Sequence, residues 1–392
     1  MTKHHFISVC IFFVFLFGGC QQQKNGNHIS LENNKQSILS LTPRSDNKVL
    51  ISDLAESINY VPLETTSDAL IGSVDKIEMK DSLWYILDKK SNVIWCYSTE
   101  GKYIFKIDKK GQGPGEYIKI FDFDIDDKTG DIIILDRGAR KLFFYDNKGS
   151  FVKDLRIDLA ASKFALVDDI FYFYTFGADT NMGKDKKDYG YNLFGVNREG
   201  EIICKQLQYN EVTDRSIGSN VFAKLNESIL IHYAKNDTIY KLDDKGNIIN
   251  KIIIDFGKNR VPIETIDSND RFLFYLNNPS SAHVSTVFCS ESFVYITYTY
   301  QKRVRFAIFD YNNKLHFNGS MLVNDIDGIS FLNPTPHLVK KNALYFVKEA
   351  SDICGQELEQ EKIFLSIKEL SGLKDDDNPV IVIFNLESTL KS

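Results

Sequence analysis

Four side chains stand out as candidates for ligand chemistry. Glu116 and Tyr117 close the glycine-rich stretch GQGPGEY (111–117), and Arg137 and Arg140 bracket the short segment RGAR. A carboxylate, a phenol and two guanidiniums on loops held by rigid sheets could bind a polar partner. The stretch does not fit a phosphate cradle. A P-loop needs Gly-Lys-Ser/Thr entering a helix, and a dinucleotide loop needs GxGxxG in a strand-to-helix turn. Here strand-like sequence lies on both sides. A plainer reading makes it a corner between two repeats, with Gly111, Gly113 and Gly115 allowing sharp turns and Pro114 stiffening them. FDFDIDDKTGD (121–131) resembles a calcium loop only superficially. An EF-hand wants Gly at its sixth position and Glu at its twelfth; Asp127 and Ile133 stand there. His232, His283, His316 and His337 are scattered singly, without HExxH, CxxC or a nucleophile triad. The sequence therefore assigns no catalytic residue, no metal ligand and no cofactor. The Asp375–Asp377 run reads as a solvated turn into the last strand.

The elements that would position these residues are repeats. Residues 131–157, DIIILDRGARKLFFYDNKGSFVKDLRI, read as three short strands, with a tight turn at Asp146–Gly149. Asp and Asn open such turns with side-chain hydrogen bonds, and Gly accepts the positive φ that closes them. SLWYILDKKSNVIWCYSTEGKYIFKI (82–107) is a near copy. Gly101, Gly149, Gly200 and Gly246 recur at steps of about 46 to 51 residues, and a fifth copy (293–317) carries Asn313 instead. Such repeats with four strands each mark a β-propeller. The fold expected is all-β: a six-bladed β-propeller with N-/C-terminal strand closure and one short helical insertion. The closing sheet takes its outermost strand from 58–63, beside the last strand 380–385. Six blades leave about 43 residues each once the insertions 176–190, 257–283 and 351–378 are set aside, which fits better than seven. Within the last insertion, 356–371 reads as a helix with Leu358, Ile363, Phe364, Ile367 and Leu370 on one stripe. That stripe packs on the propeller or meets a partner.

The start of the chain reads as export and tether. Phe6 to Phe17 is an apolar run too short to span a bilayer comfortably, after Lys3 and before Gly18-Gly19-Cys20. L-F-G-G-C resembles the lipobox of bacterial lipoproteins, in which the cysteine is lipidated, with Phe17 where Leu is commonest. The expected division is a signal peptide at 1–19, a flexible tether at 20–49, rich in Gln, Asn, Ser and Lys, and the propeller at 50–392. No Asp follows Cys20, which by analogy points to an outer-membrane lipoprotein facing the periplasm or the cell surface. The formal charge of −6 and the lack of a basic stripe disfavour nucleic acid. Cys96, Cys204, Cys289 and Cys354 fall at unlike places in the repeats and read mostly as buried free thiols, a Cys289–Cys354 bridge being the alternative.

LISDLAESINYVPLET (50–65), LIGSVDKIEMK (70–80), GQGPGEY (111–117) and LKDDDNPVIVIFNL (373–386) resemble the six-bladed β-propeller lipoproteins of the DUF4934-like family, related in architecture to NHL-repeat proteins. The resemblance covers nearly all of the mature chain. It implies fold and location and carries no activity with it.

Strand direction then names a surface. With strands a to d counted outward from the axis, a–b and c–d turns share one face, and b–c loops and d-to-a connections share the other. All three insertions, GQGPGEY, and the Arg137–Arg140 loop fall on that second, decorated face, with Glu116, Tyr117, Arg137 and Arg140 expected near its centre. The function expected is a membrane-tethered extracytoplasmic module that binds or scaffolds a protein or glycan partner, touching the membrane only through its lipid. The alternative is a propeller hydrolase or lyase with a metal-dependent site in the central channel.

Overall fold

The computed structural model describes residues 36–386, apart from 45, 176–189, 209–219, 226–227, 234–235, 262–273, 275–276, 332 and 355–366. Three strands precede any complete blade: β1 (Gln36–Ser40), β2 (Lys48–Leu50) and β3 (Ala55–Pro62), with a one-turn helix α1 (Ile51–Leu54) between the last two. Blade one is β4 (Lys76–Lys80), β5 (Leu83–Asp88), β6 (Val93–Ser98) and β7 (Tyr103–Ile107). Blade two is β8 (Asp122–Ile125), β9 (Ile132–Asp136), β10 (Lys141–Tyr145) and β11 (Phe151–Arg156). Blade three is β12 (Lys163–Val167), β13 (Ile170–Tyr174), β14 (Tyr191–Val196) and β15 (Ile202–Gln208). Blade four is β16 (Phe222–Leu225), β17 (Ser228–Ile231), β18 (Thr238–Leu242) and β19 (Ile248–Asp255). Blade five is β20 (Ala282–Cys289), β21 (Phe293–Tyr300), β22 (Arg303–Asp310) and β23 (Leu315–Gly319). After β24 (Met321–Val323), blade six is β25 (Leu338–Lys340), β26 (Ala343–Lys348), a short helix α2 (Ala350–Cys354) and β27 (Val380–Leu386). The strands of blades one to five pair antiparallel in chain order, blade six takes β3 as its fourth, and the inner strands β4, β8, β12, β16, β20 and β25 contact one another in sequence around the axis.

The ring closes as the sequence predicts. β3 runs antiparallel to β27, from Val380 opposite Pro62 to Leu386 opposite Ala55, and is the outermost strand of blade six. Asn378 locks the closure. Its Nδ2 donates to Ala69 O at 2.7 Å and Glu64 O at 2.9 Å, and its Oδ1 accepts from Ile71 N at 2.8 Å.

The repeated turn is one structure used five times. Ser98, Asp146, Asn197, Asp243 and Asp310 each accept from the backbone N–H groups two and four residues on. Three residues after each stands the left-handed position, with φ between 66° and 91° at Gly101, Gly149, Gly200, Gly246 and Asn313. Glycine reaches that region without strain, and asparagine is the side chain that tolerates it best.

The core lies between blades. Leu142 and Phe144 of blade two pack with Phe164, Phe171 and Phe194 of blade three, and Tyr85 and Ile94 of blade one pack with Phe123, Ile134 and Tyr145 of blade two. Each such side chain contributes about 1.5–3 kcal/mol through burial. No blade could bury both its faces alone.

One boundary differs from the expectation. The stretch placed in a flexible tether is structured from residue 36. β1 adds to the outer edge of blade four, parallel to β19, and β2 pairs parallel with β24. Leu39, Leu41 and Val49 are the buried side chains of this strap. Between the two strands, Asn318 Nδ2 donates to Thr42 O at 2.9 Å and Arg305 Nε to Arg44 O at 3.0 Å. The propeller therefore includes residues from at least 36 onward, ahead of the expected boundary at 50. The expected signal segment, Cys20 and the expected helix stripe at Leu358, Ile363 and Phe364 lie outside the described residues. Of that stripe, Leu370 is buried in the blade five–six core with Ile367 against it, and 368–370 is a 3-10 turn. No helix among the described residues is long and apolar enough to cross a membrane. Cys96, Cys204, Cys289 and Cys354 are all free thiols.

Candidate functional site: the axial channel and the decorated face

The inner strands surround a cavity of about 600 Å³ on the axis. Its polar lining is ionic and stacked in tiers, because charged residues alternate along the first strand of a blade and so share one face. Each inner strand enters from the decorated face, so its first residue marks that end of the channel. The tier there comprises Lys76, Asp122 and Lys163, the first residues of β4, β8 and β12. Asp122 Oδ1 accepts from Lys76 Nζ at 3.2 Å and stands 3.8 Å from Lys163 Nζ, while Oδ2 accepts from Phe164 N at 3.1 Å. Glu78, Asp124 and Lys224 follow. Lys224 Nζ lies 2.8 Å from Asp124, whose Oδ2 also accepts from Leu166 N at 2.7 Å. At the tight-turn end Lys80 Nζ meets Asp127 at 3.4 Å, and Lys340 Nζ donates to Met79 O.

These carboxylates do two jobs. They compensate the lysines, and Asp122 and Asp124 of blade two also take N–H groups of blade three, clamping adjacent blades at the axis. Burial would raise the Asp122 carboxyl, but Lys163 and Lys76 outweigh it and hold the carboxyl below the ordinary carboxylate range. Burial would lower the ammonium of Lys76, but Asp122 beside it raises it instead. Glu78 is pushed up by burial. Lys163 and Lys340 are pushed down, again by burial. His337, just before β25, is held neutral by burial, its pKa lowered to about 4, and its Nδ1 has no hydrogen-bond partner. His232 is buried with Nε2 2.7 Å from Asn236 O, and His316 Nε2 lies 2.9 Å from Asp310. Among the described residues no three His, Cys, Asp or Glu side chains converge to hold a metal ion.

None of Glu116, Tyr117, Arg137 and Arg140 lines the cavity. Tyr117 is fully buried between blades one and two, where its hydroxyl donates to Ile107 O at 2.9 Å and its ring meets Tyr145 edge-on. Its position ahead of β8 turns the ring into the inter-blade core rather than onto the face, so Tyr117 is a packing residue. Glu116 Oε2 accepts from Gly113 N at 2.8 Å and folds back on its own loop. Arg137 lies over the Phe121 ring at 5.8 Å, and Arg140 occupies the left-handed backbone region at φ 53°. Both are half-buried in the loop between β9 and β10. The strand ends that bracket the three insertions do lie on this same face: β13 to β14, β19 to β20, and β26 to β27.

The channel charges were legible in KIEMK (76–80) and FDFDI (121–125), where every second residue is charged. In an ordinary sheet that alternation means a solvent face. In the innermost strand of a propeller it means the axis.

The family profile described as a domain of unknown function, DUF4934, matches residues 34–385. The chain belongs to this family. Its start at 34 agrees with the strap at β1. A crystal structure of a Bacteroides fragilis protein described as exported is similar at 17% identity, with a TM-score of 0.71, covering 90% of this chain and 100% of that one. A member of the duf4221 family from Bacteroides vulgatus gives 10% identity and a TM-score of 0.49, covering 85% and 97% of the two chains. The first likeness supports the fold. No curated protein matches the chain.

Proposed function

We propose that this protein is an exported, lipid-tethered propeller that holds a protein or glycan partner of the cell envelope against its decorated face. The observation that carries the reading is the asymmetry of the two faces. The a–b and c–d connections are turns of a few residues, such as Asp81–Ser82, Asp168–Asp169 and the five capped turns, whereas the long connections all leave from the opposite side. Long segments on a compact, rigid domain usually serve function. The structural relative described as exported, together with the L-F-G-G-C stretch, supports placement outside the cytoplasm, with Cys20 as the lipid site.

Two outcomes test this. Cys20→Ala should move the protein from the membrane fraction to the soluble fraction, and labelled palmitate should enter only the wild type. Equal fractionation of the two would remove the tether. Separately, charge reversal at Arg137 and Arg140 should abolish partner capture in a pulldown from native membranes, with an unchanged melting temperature. Capture that survives the reversal, or is lost equally when Lys148 and Lys245 in the tight turns are reversed, would overturn the choice of face. Glu116→Gln belongs in the same series, as the carboxylate at the edge of that surface.

A further inference from the structure

We propose that the axial cavity binds a small hydroxylated organic acid, of the sugar-acid type, whose carboxylate is received by Lys163. A buried ammonium is stable only when its donors meet acceptors. Lys76 and Lys224 obey this, each with a carboxylate oxygen within 3.2 Å. Lys163 does not. It is 7% exposed, and among the described residues its nearest carboxylate oxygen, on Asp122, is 3.8 Å away, beyond hydrogen-bond reach. Asp122 is itself already engaged by Lys76 and by Phe164 N. Lys163 thus lines a cavity large enough for a monosaccharide-sized molecule, with no acceptor within hydrogen-bond distance of its ammonium among the described residues.

His337 supplies the second half. It sits across the ring, at the start of the blade-six inner strand, as Lys163 starts that of blade three. Its side chain lines the cavity, its unpartnered Nδ1 being itself shielded from solvent. A neutral imidazole suits a hydroxyl rather than an anion. Asn333 and Thr335, on the same approach to β25, add an amide and a hydroxyl to the lining. Cation on one wall and neutral polar groups on the other fit a molecule with a carboxylate at one end and hydroxyls at the other.

Among the described residues, the charges that act most strongly on Lys163 are those of Asp122, Lys76, Lys89 and Asp75. Burial lowers the Lys163 ammonium, and a bound anion raises it. Affinity then falls as pH rises through the lowered value. The site uses channel residues alone, so it can stand or fall apart from the Arg137–Arg140 surface.

Calorimetry with galacturonate, glucuronate and gluconate, against neutral galactose and inorganic phosphate, tests it. The expected result is that at least one acid binds ten-fold or more tighter than galactose, and that Lys163→Met removes the difference. If Lys163→Met does not fold, the dimethyl-lysine resonance of Lys163 in reductively methylated wild type is followed by NMR; its titration should move to higher pH on adding the acid. The proposal is overturned by binding of none of the acids, by equal binding of acid and galactose, by phosphate binding without the acids, or by an unmoved Lys163 titration.

Discussion

Deleting residues 50–65 should leave a propeller that cannot close, recovered in aggregates rather than in solution. The segment carries Ile51, Leu54, Ala55, Tyr60 and Leu63, all buried at 5% exposure or less. At about 1.5–3 kcal/mol for each large apolar side chain, their loss is comparable with the roughly 5–15 kcal/mol that separates folded from unfolded in a typical domain. What remains is also hazardous. Without β3, the edge of β27 is bare, and its sequence VIVIFNL is apolar and β-prone over most of its length. An unpaired edge of that kind templates intermolecular pairing. Refolding in the presence of a synthetic 50–65 peptide should restore a soluble monomer, since the missing strand makes no covalent link to the rest of blade six. Sedimentation and light scattering read both arms. A soluble deletion variant with an unchanged melting temperature would mean that the ring does not depend on its clasp.

How much of this was readable beforehand depends on whether a signal repeats. The c–d turns were legible because the same chemistry recurs: an acceptor side chain, then a residue at positive φ three places on, up to the replacement of Gly by Asn313. The closing strand was legible from arithmetic, since blade six lacks one strand and 58–63 has no neighbours of its own. The strap was not. β1 buries only Leu39 of its five residues and β2 only Val49 of its three, and each carries two adjacent apolar residues rather than the apolar–polar alternation that marks a half-buried strand in sequence. Both are short parallel additions to sheets far away in sequence, and their stability comes from partners such as Asn318 and Arg305. Tyr117 misled for a related reason. Its place after a glycine-rich loop suggested exposure, but the next strand begins only at Asp122, and the intervening residues feed the inter-blade core. The channel's ion pairs form between residues about 40 to 100 places apart, such as Lys76 with Asp122 and Lys224 with Asp124; no linear motif can hold them.

Asp136→Ala should cost about 3 kcal/mol or more of folding stability, and Asp88→Ala a similar amount, although both sit outside the hydrophobic clusters. They are the same residue in two repeats, the last of the second strand in YILD and IILD. Asp136 is fully buried. Its Oδ2 accepts from Ile118 N at 2.7 Å and Lys119 N at 3.2 Å, and its Oδ1 from Ala139 N at 2.9 Å. Asp88 accepts from Gly72 N at 2.7 Å, Ser91 N at 2.9 Å and Trp95 Nε1 at 3.3 Å. In each case one carboxylate ties the b–c loop to the segment arriving from the previous blade. Alanine leaves those N–H groups without an acceptor, and an orphaned buried donor costs about 1–3 kcal/mol. The two sets share no partner, so the double variant should lose close to the sum. pH supplies the control. Burial would raise the Asp88 carboxyl, but the N–H bonds from Ser91 and Gly72 prevail and hold it below the ordinary range. Its folded-state pKa thus lies below the unfolded one. The stabilisation is complete above the unfolded value, about 3.9, and is lost as pH falls through the folded value. Urea titrations should therefore show the Asp88→Ala deficit in full at pH 7 and reduced near pH 3. A deficit under about 0.5 kcal/mol at pH 7, or one that grows on acidification, would show that the loops are held by something other than these carboxylates.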